Sequence, residues 1–300
     1  MKKYFLYILV LFAFIYSGCD KPGPTELIIN EDTYDVEILG KDINDEFYSN
    51  GYDSSGVVED RKNFASIISV SGIKLTKDNS TINISTAQTI IFDKTKPVRS
   101  PRGVLLGYKT ITPGIIRFDN VRAKEKDYRA RFRENGLLID TVLGQRYELF
   151  HIQGLPGDLF TYPYNSSINF SYEALLGGQF SNFDILTPKE VTGYVRLVQQ
   201  NQQNKFRAEL NWNGESSNNF SVIIGGIRNS NQQNFPFYRI RTKDNGKLII
   251  PFSLLKSIPR DRFSKITISL IRKYDKLVQV ENTDLYVSSQ SIHTIIVELP

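Results

Sequence analysis

The chain is poor in the side chains that most often carry catalysis or bind metals. Its 300 residues include one cysteine (Cys19), one tryptophan (Trp212) and two histidines (His151 and His293). A single cysteine excludes an internal disulfide framework and any zinc site built from several thiolates. The Walker, G-x-G-x-x-G, G-x-S-x-G and H-E-x-x-H patterns are absent. We therefore predict a protein that is not an enzyme and has no cofactor and no metal.

Two chemical alternatives stay open at this point. A pair of carboxylates for glycoside hydrolysis is defined by spacing in space, which a sequence does not display. Asp42, Asn44, Asp45 and Glu46 bring oxygen ligands together, but Phe47 stands where an EF-hand calcium loop needs glycine. A solvated turn is the simpler interpretation of this segment.

The first nineteen residues contain the parts of a secretory signal peptide. Lys2 and Lys3 precede an apolar run over residues 4–16, and small residues lead directly to Cys19. The run is shorter than the roughly 20 apolar residues that a membrane span needs. The stretch Tyr16-Ser17-Gly18-Cys19 resembles the lipobox of bacterial lipoproteins.

The resemblance implies that the Cys19 thiol takes a diacylglycerol and that residues 1–18 are removed. The expected partner is then a membrane, and the expected location is the outer membrane of a Gram-negative cell, at the surface. The periplasmic face of that membrane is the alternative location. An ordinary signal peptide with a chance cysteine is the alternative to lipidation.

Charge is divided unevenly along the chain. Residues 20–60 carry twelve acidic side chains and two lysines, whereas residues 61–300 carry 33 basic and 20 acidic side chains. This asymmetry indicates an acidic leader and a basic body. An anionic glycan or another envelope protein fits an exported basic body better than nucleic acid does. A solvated lysine-rich surface is the bland alternative.

Short β-branched and aromatic runs, separated by turn residues, predict an all-β protein. We expect a signal peptide (1–18), an acidic tether and leader strand (19–60), and two antiparallel β-sandwiches (61–187 and 188–300) of the immunoglobulin or transthyretin type. A helical turn is predicted over 171–176 and a short helix over 253–258. Asp244-Asn245-Gly246 predicts a type I′ hairpin.

One segment, residues 103–157, resembles a family of immunoglobulin-like domains of unknown function found in bacterial lipoproteins. The similarity rests on Gly107-Tyr108-Lys109-Thr110-Ile111-Thr112-Pro113-Gly114 and on the strand that begins at Gly144. Arg146 and Glu148 stand where that family has lysine and threonine. The resemblance implies a fold and no activity.

Two groups of arginines are the sharpest candidate binding residues. Arg129, Arg131 and Arg133 alternate along one predicted strand, and Arg239 and Arg241 alternate along another. Alternation puts each group on one face, and a guanidinium fork suits carboxylate, sulfate or phosphate. The functional interpretation is a site for an anion or a glycan; the alternative is a solvated sheet face.

These features favour a lipid-anchored, non-catalytic envelope protein that binds or acts as a scaffold. A surface glycan-binding accessory lipoprotein of a polysaccharide uptake system is the second hypothesis, with tyrosines or Trp212 as stacking platforms. A pilin or adhesin subunit is the third, because two-sandwich lipoproteins include pilins whose first strand is removed by an arginine-specific protease. Arg61 would be the cut site.

The lipobox resemblance makes a direct prediction about Cys19. Cys19→Ser should lose incorporation of labelled palmitate and should move from the membrane fraction to the soluble fraction of the envelope, because acyl chains supply the attachment. Labelling that persists in the variant would contradict the assignment.

Overall fold

The apolar alternation of the sequence appears in the structure as strands with one buried face. The structure is a computed structural model that describes residues 35–39, 66–99, 101–103, 105–134, 137–174, 180–199, 206–216, 219–230, 232, 234–280 and 283–298. All of them belong to one unit that spans Tyr34–Pro300. The all-β prediction is confirmed.

The described strands are, in chain order, β1 (Asp35–Ile38), β2 (Ser66–Lys77), β3 (Ser80–Arg99), β4 (Leu105–Ile111), β5 (Gly114–Phe118), β6 (Val121–Arg122), β7 (Lys124–Glu134), β8 (Leu137–Ile152), β9 (Ser167–Ala174), β10 (Phe180–Leu186), β11 (Gly193–Gln199), β12 (Phe206–Trp212), β13 (Phe220–Arg228), β14 (Asn234–Thr242), β15 (Lys247–Ile250), β16 (Phe263–Val280) and β17 (Thr283–Glu298). One short helix, α1 (Phe252–Leu255), precedes β16.

Three sheets organise these strands. The largest has the order β1-β14-β13-β16-β17-β2-β3-β8-β7, with β4 paired to β3 as its tenth strand. A four-stranded sheet has the order β10-β9-β5-β6, and a three-stranded sheet has the order β11-β12-β15. The large sheet takes strands from both sides of the predicted boundary at residue 187. That division into domains stays a prediction.

The two halves of the large sheet meet at a parallel pair. β17, the last described strand, lies beside β2, and Leu285 pairs with Ser66 at one end of the register while Ile296 pairs with Lys77 at the other. Antiparallel pairing is the pattern of every other described pair. A parallel pair needs a long connection rather than a tight turn, and residues 78–282 separate these two strands.

The four-stranded sheet packs on the large sheet through a shared core. Ile68 and Val70 of β2 and Leu149 of β8 lie in one cluster with Phe118 of β5 and Phe170 of β9. All five side chains are at most 2% exposed. Burial of an aliphatic or aromatic side chain of this size contributes about 1.5–3 kcal/mol, so this cluster is a principal source of stability.

The three-stranded sheet packs on the other half of the large sheet. Phe206, Ala208 and Leu210 alternate along β12 with buried side chains, as a half-buried strand requires. Trp212 stacks on Phe220 of the large sheet, with 4.7 Å between ring centroids and 8° between ring planes. These contacts place Trp212 in the core, which removes it as an exposed platform for a sugar.

The predicted hairpin at Asp244-Asn245-Gly246 is wrong. β14 before it pairs within the large sheet and β15 after it pairs with β12, so the segment carries the chain from one sheet to another. The Asp244 carboxylate is fully buried and accepts hydrogen bonds from Trp212 Nε1 (2.6 Å) and Arg272 Nε (2.6 Å). A buried ion pair, rather than a solvated turn, therefore fixes this segment.

Arg272 of β16 is itself fully buried and donates hydrogen bonds to carbonyl oxygens of several chain segments. Its Nη1 donates to the carbonyl oxygens of Lys189 (3.1 Å) and Glu190 (3.3 Å), and its Nη2 donates to that of Asn213 (2.7 Å). Glu215 supplies a second carboxylate 3.7 Å from Nε. We call Arg272 and Asp244 the buried ion pair.

The two predicted helical elements have different outcomes. Residues 171–176 were expected to form a helical turn, but β9 continues to Ala174. Ile168 and Phe170 are buried at alternate positions while β10 and β5 take the backbone hydrogen bonds on either side. The short helix predicted over 253–258 is present as α1, with Leu254 and Leu255 buried. Across the described residues, no helix is long and apolar enough to cross a membrane.

Replacing Arg272 should lower the free energy of unfolding far more than replacing an exposed arginine. Arg272→Met leaves the Asp244 charge buried without its main partner, and such losses cost about 3–5 kcal/mol. Arg262→Met is the matched control, because the Arg262 side chain is 53% exposed. Urea unfolding followed by tryptophan fluorescence measures both. Equal midpoints for the two variants would show that the buried ion pair does not stabilise the fold.

Candidate functional site

The two arginine groups lie at opposite ends of the large sheet. Arg129, Arg131 and Arg133 belong to β7, which ends the strand order, whereas Arg239 and Arg241 belong to β14. Six strands lie between β7 and β14. The structure therefore does not bring the five predicted residues into one site, and each group has its own surroundings.

The β7 group follows the predicted alternation in the backbone register. Arg129, Arg131 and Arg133 pair with Val142, Asp140 and Leu138 of β8. The Arg129 side chain is 47% exposed, and its Nε lies 3.5 Å from Asp127 Oδ2. An ion pair this exposed stabilises the fold by no more than about 1 kcal/mol. Binding of an anion by this group stays a prediction.

The β14 group faces the acidic leader strand. β1 pairs antiparallel with β14, with Asp35 opposite Arg241 and Glu37 opposite Arg239. Glu37 Oε2 lies 3.4 Å from Arg239 Nη1 and 3.1 Å from Arg241 Nη2. Asp35 Oδ2 lies 3.6 Å from Arg241 Nη1. The alternating arginines therefore face carboxylates at the same alternation.

The leader strand adds apolar contacts to these charges. Val36 is half-buried opposite Ile240, and the Leu39 backbone N–H donates to the Phe237 carbonyl oxygen at 2.9 Å. Leu39 also packs against a cluster that includes Ile223, Ile271 and Ile292. The β14 edge thus accepts an extended segment with acidic residues at 35 and 37 and apolar residues at 36 and 39. We call this surface the leader-strand site.

The linker between the two smaller sheets is held by a group of polar contacts, which we call the seam. Sequence analysis did not predict it. The linker after β10 is held by Val191 N–H, which donates to Ser291 Oγ (2.8 Å), and by Gly193 N–H, which donates to His293 Nδ1 (2.9 Å). Lys74 Nζ lies 2.5 Å from Glu190 Oε1 in the same seam. The partners in each contact are about 100 residues apart in sequence, so no local sequence pattern predicts the contacts.

Two tyrosines close the seam on the side of the four-stranded sheet. The rings of Tyr162 and Tyr164 meet edge to face at 5.1 Å, and the Tyr162 hydroxyl lies 2.7 Å from Ser289 Oγ. Gly72 makes this approach feasible, because a Cβ there would come within 2.4 Å of the Tyr162 ring. Burial raises the pKa of both phenols, and the Glu190 carboxylate adds to the effect at Tyr164. The tyrosines therefore stay neutral and structural.

A surface cleft of about 370 Å³ lies beside Tyr147, between Gly114 and Lys124. The Tyr147 hydroxyl donates to the Gly114 carbonyl oxygen at 2.5 Å, and Lys124 Nζ pairs with Asp158 Oδ1 at 2.5 Å. Both polar groups are thus engaged in contacts within the fold. The Tyr147–Gly114 hydrogen bond joins the large sheet to the four-stranded sheet beside this cleft.

Several predicted features lie outside the described residues: Cys19, Arg61 and the candidate calcium loop at residues 42–46. In the described ranges, no group of three or more His, Cys, Asp or Glu side chains is placed to hold a metal ion. His151 lies in β8 with its Nδ1 buried and without a hydrogen-bond partner.

No protein-family model matches this chain, and no curated protein matches it significantly. The arrangement of its own residues therefore carries the functional argument.

His293 should make stability fall in mild acid. Burial, with the nearby Lys74 charge, lowers the pKa of His293 to about 4 from 6.5. Nδ1 accepts a hydrogen bond from Gly193 N–H. A proton on Nδ1 would replace this acceptor with a second donor and break the hydrogen bond. Below pH 6.5 the unfolded chain binds a proton at His293 that the folded protein does not bind. Acid therefore favours the unfolded state, and the stability present above pH 6.5 declines as pH falls towards 4.

Urea midpoints between pH 7.5 and pH 5 test this expectation. His293→Gln should flatten the decline, whereas Thr76→Val should keep it, since Thr76 only contacts Nε2 (2.9 Å) and does not titrate. The same decline in wild type and His293→Gln would refute the assignment.

Proposed function

We propose that this chain is a lipid-anchored, non-catalytic protein of the bacterial envelope that acts as a binding or scaffold protein. The observation that carries the proposal is the large sheet, which runs beneath both smaller sheets and takes the leader strand at one edge. The segment that follows the predicted anchor is thereby joined to a continuous platform. The proposed location is the outer membrane, attached through Cys19.

The construction of the seam supports a rigid platform. The linker between the smaller sheets is bonded to β17 through Ser291 and His293 and to β16 through Arg272. Independent motion of two domains normally needs a linker with few contacts. This linker makes many contacts with β16 and β17, so we expect the two halves to move together. A rigid body suits a scaffold that holds a partner at a fixed position.

A glycan-binding role is the second candidate, favoured by a tyrosine cluster. Tyr108, Tyr128 and Tyr286 are half-buried and pack around Ile90 and Phe92 of β3. Partly exposed rings with polar tips are suited to stacking on sugars. With Trp212 buried, such a role would have to use tyrosine or phenylalanine rings, and this cluster is one candidate. A pilin or adhesin subunit remains the third candidate, since β1 precedes Arg61 in the chain.

Protease treatment of intact cells tests the proposal. If the body is displayed outside the cell, peptides from residues 61–300 should be released and identified by mass spectrometry, and Cys19→Ser should abolish the cell-bound signal. Release only after the outer membrane is permeabilised would place the body in the periplasm and would exclude surface glycan capture and adhesion. Release from Cys19→Ser cells equal to wild type would contradict lipid anchoring.

A further inference from the structure

The leader strand is attached to the body by one short strand pairing, by ion pairs whose acidic side chains are partly exposed, and by Leu39 against the Ile223 cluster. β1 has four residues, and all its strand pairing is with β14 at the edge of the sheet. The Asp35 side chain is 73% exposed, and those of Glu37 and Arg241 are 37% and 43% exposed. Pairs this exposed contribute about 0–1 kcal/mol each and are weakened by salt. Releasing β1 from β14 costs these ion pairs, in which the Arg239 side chain is only 12% exposed, the pairing of four strand residues and the Leu39 contact.

Departure of β1 takes one half-buried side chain, Leu39, from the cluster around Ile223 and leaves the other core contacts of the body in place. The core beneath the four-stranded sheet contains no residue of the leader, and the buried ion pair lies on β16 and on the segment after β14. What departure exposes is the β14 edge, with unpaired backbone groups and two arginines at alternate positions. An open edge of this kind is a template for another extended segment.

The chain between β1 and β2 is long enough to let the leader reach beyond its own edge. Residues 40–65 number 26, and an extended chain of that length spans about 86 Å. Within one copy, β1 and β2 are five strand spacings apart, which is about 24 Å, and their ends are offset by about 33 Å along the strands. About half of the available length is therefore not needed to close the strand onto its own copy.

The best-matched occupant of an open β14 edge is the leader of a second copy. An acidic segment of the same sequence makes the same pairs, with Asp35 opposite Arg241 and Glu37 opposite Arg239. Exchange of an identical element creates no new contact and loses none, so it is a low-cost route to association. The opposite charges of the leader and the body favour the encounter.

We propose that strand β1 of one copy pairs with the β14 edge of a second copy, so that chains are linked by exchanged leader strands. The proposal goes beyond a scaffold role and does not depend on the lipid anchor, because its contacts lie between β1 and β14. Reciprocal exchange gives a closed pair, and one-way exchange gives a chain of copies; both use the same register.

Cysteine cross-linking between two full-length copies tests the proposal. One copy carries Asp35→Cys and one tag, and the other carries Arg241→Cys and a second tag, in the same cells. These positions face each other in the register, and the Glu37–Arg239 pair is retained. After mild oxidation, a product with both tags should exceed by several-fold that from Asp35→Cys paired with Lys247→Cys, an exposed position on β15. The parent chain measures any background from Cys19.

A charge exchange gives an independent measurement. Glu37→Arg in the copy that donates the leader should reduce the two-tag product, and Arg239→Glu in the accepting copy should restore it. The proposal is overturned if the two-tag product stays at the level of the Lys247 control while a single chain with both cysteines cross-links within itself. That result would show that β1 pairs only with its own β14.

Discussion

The ion pair between Arg272 and Asp244 is shielded from water, and its hydrogen bonds fix the paths of three chain segments. Arg272 is surrounded by acceptors from the linker after β10, from the loop after β12 and from the segment after β14. A buried charge has to be matched almost completely, because an unpaired one costs several kcal/mol. These three segments therefore have to assume their observed conformations together. The route of the chain between the large sheet and the three-stranded sheet follows from that requirement.

The neighbouring seam fixes the linker to the large sheet through further polar contacts. Lys74 and His293 sit on the two strands that form the parallel pair, and both contact the linker that joins the smaller sheets. The linker is thus attached where the halves of the large sheet meet. At this point the buried His293 imidazole accepts a hydrogen bond from the linker through Nδ1, which only a ring without a proton on that nitrogen can do.

The division of charge along the chain acquires a specific form in the leader-strand site. A basic body could attract many anions, yet Arg239 and Arg241 contact two carboxylates in a fixed register on an adjacent strand. Backbone pairing supplies the attachment, and the alternation of charge selects which segment fits. The leader-strand site thus differs from a surface of diffuse positive charge, because its arginines and carboxylates alternate in register on adjacent strands.

A protein built of strands, with a short helix before the last strands, could be predicted from the sequence, because β-branched and aromatic runs and proline or glycine breaks act locally. Only the closed core placed Asp244 in a buried ion pair instead of a hairpin turn and continued β9 to Ala174. It also decided that Glu37 would face Arg239 across 202 residues. Long-range pairing depends on which strands become neighbours when the core closes, and local periodicity carries no record of that choice.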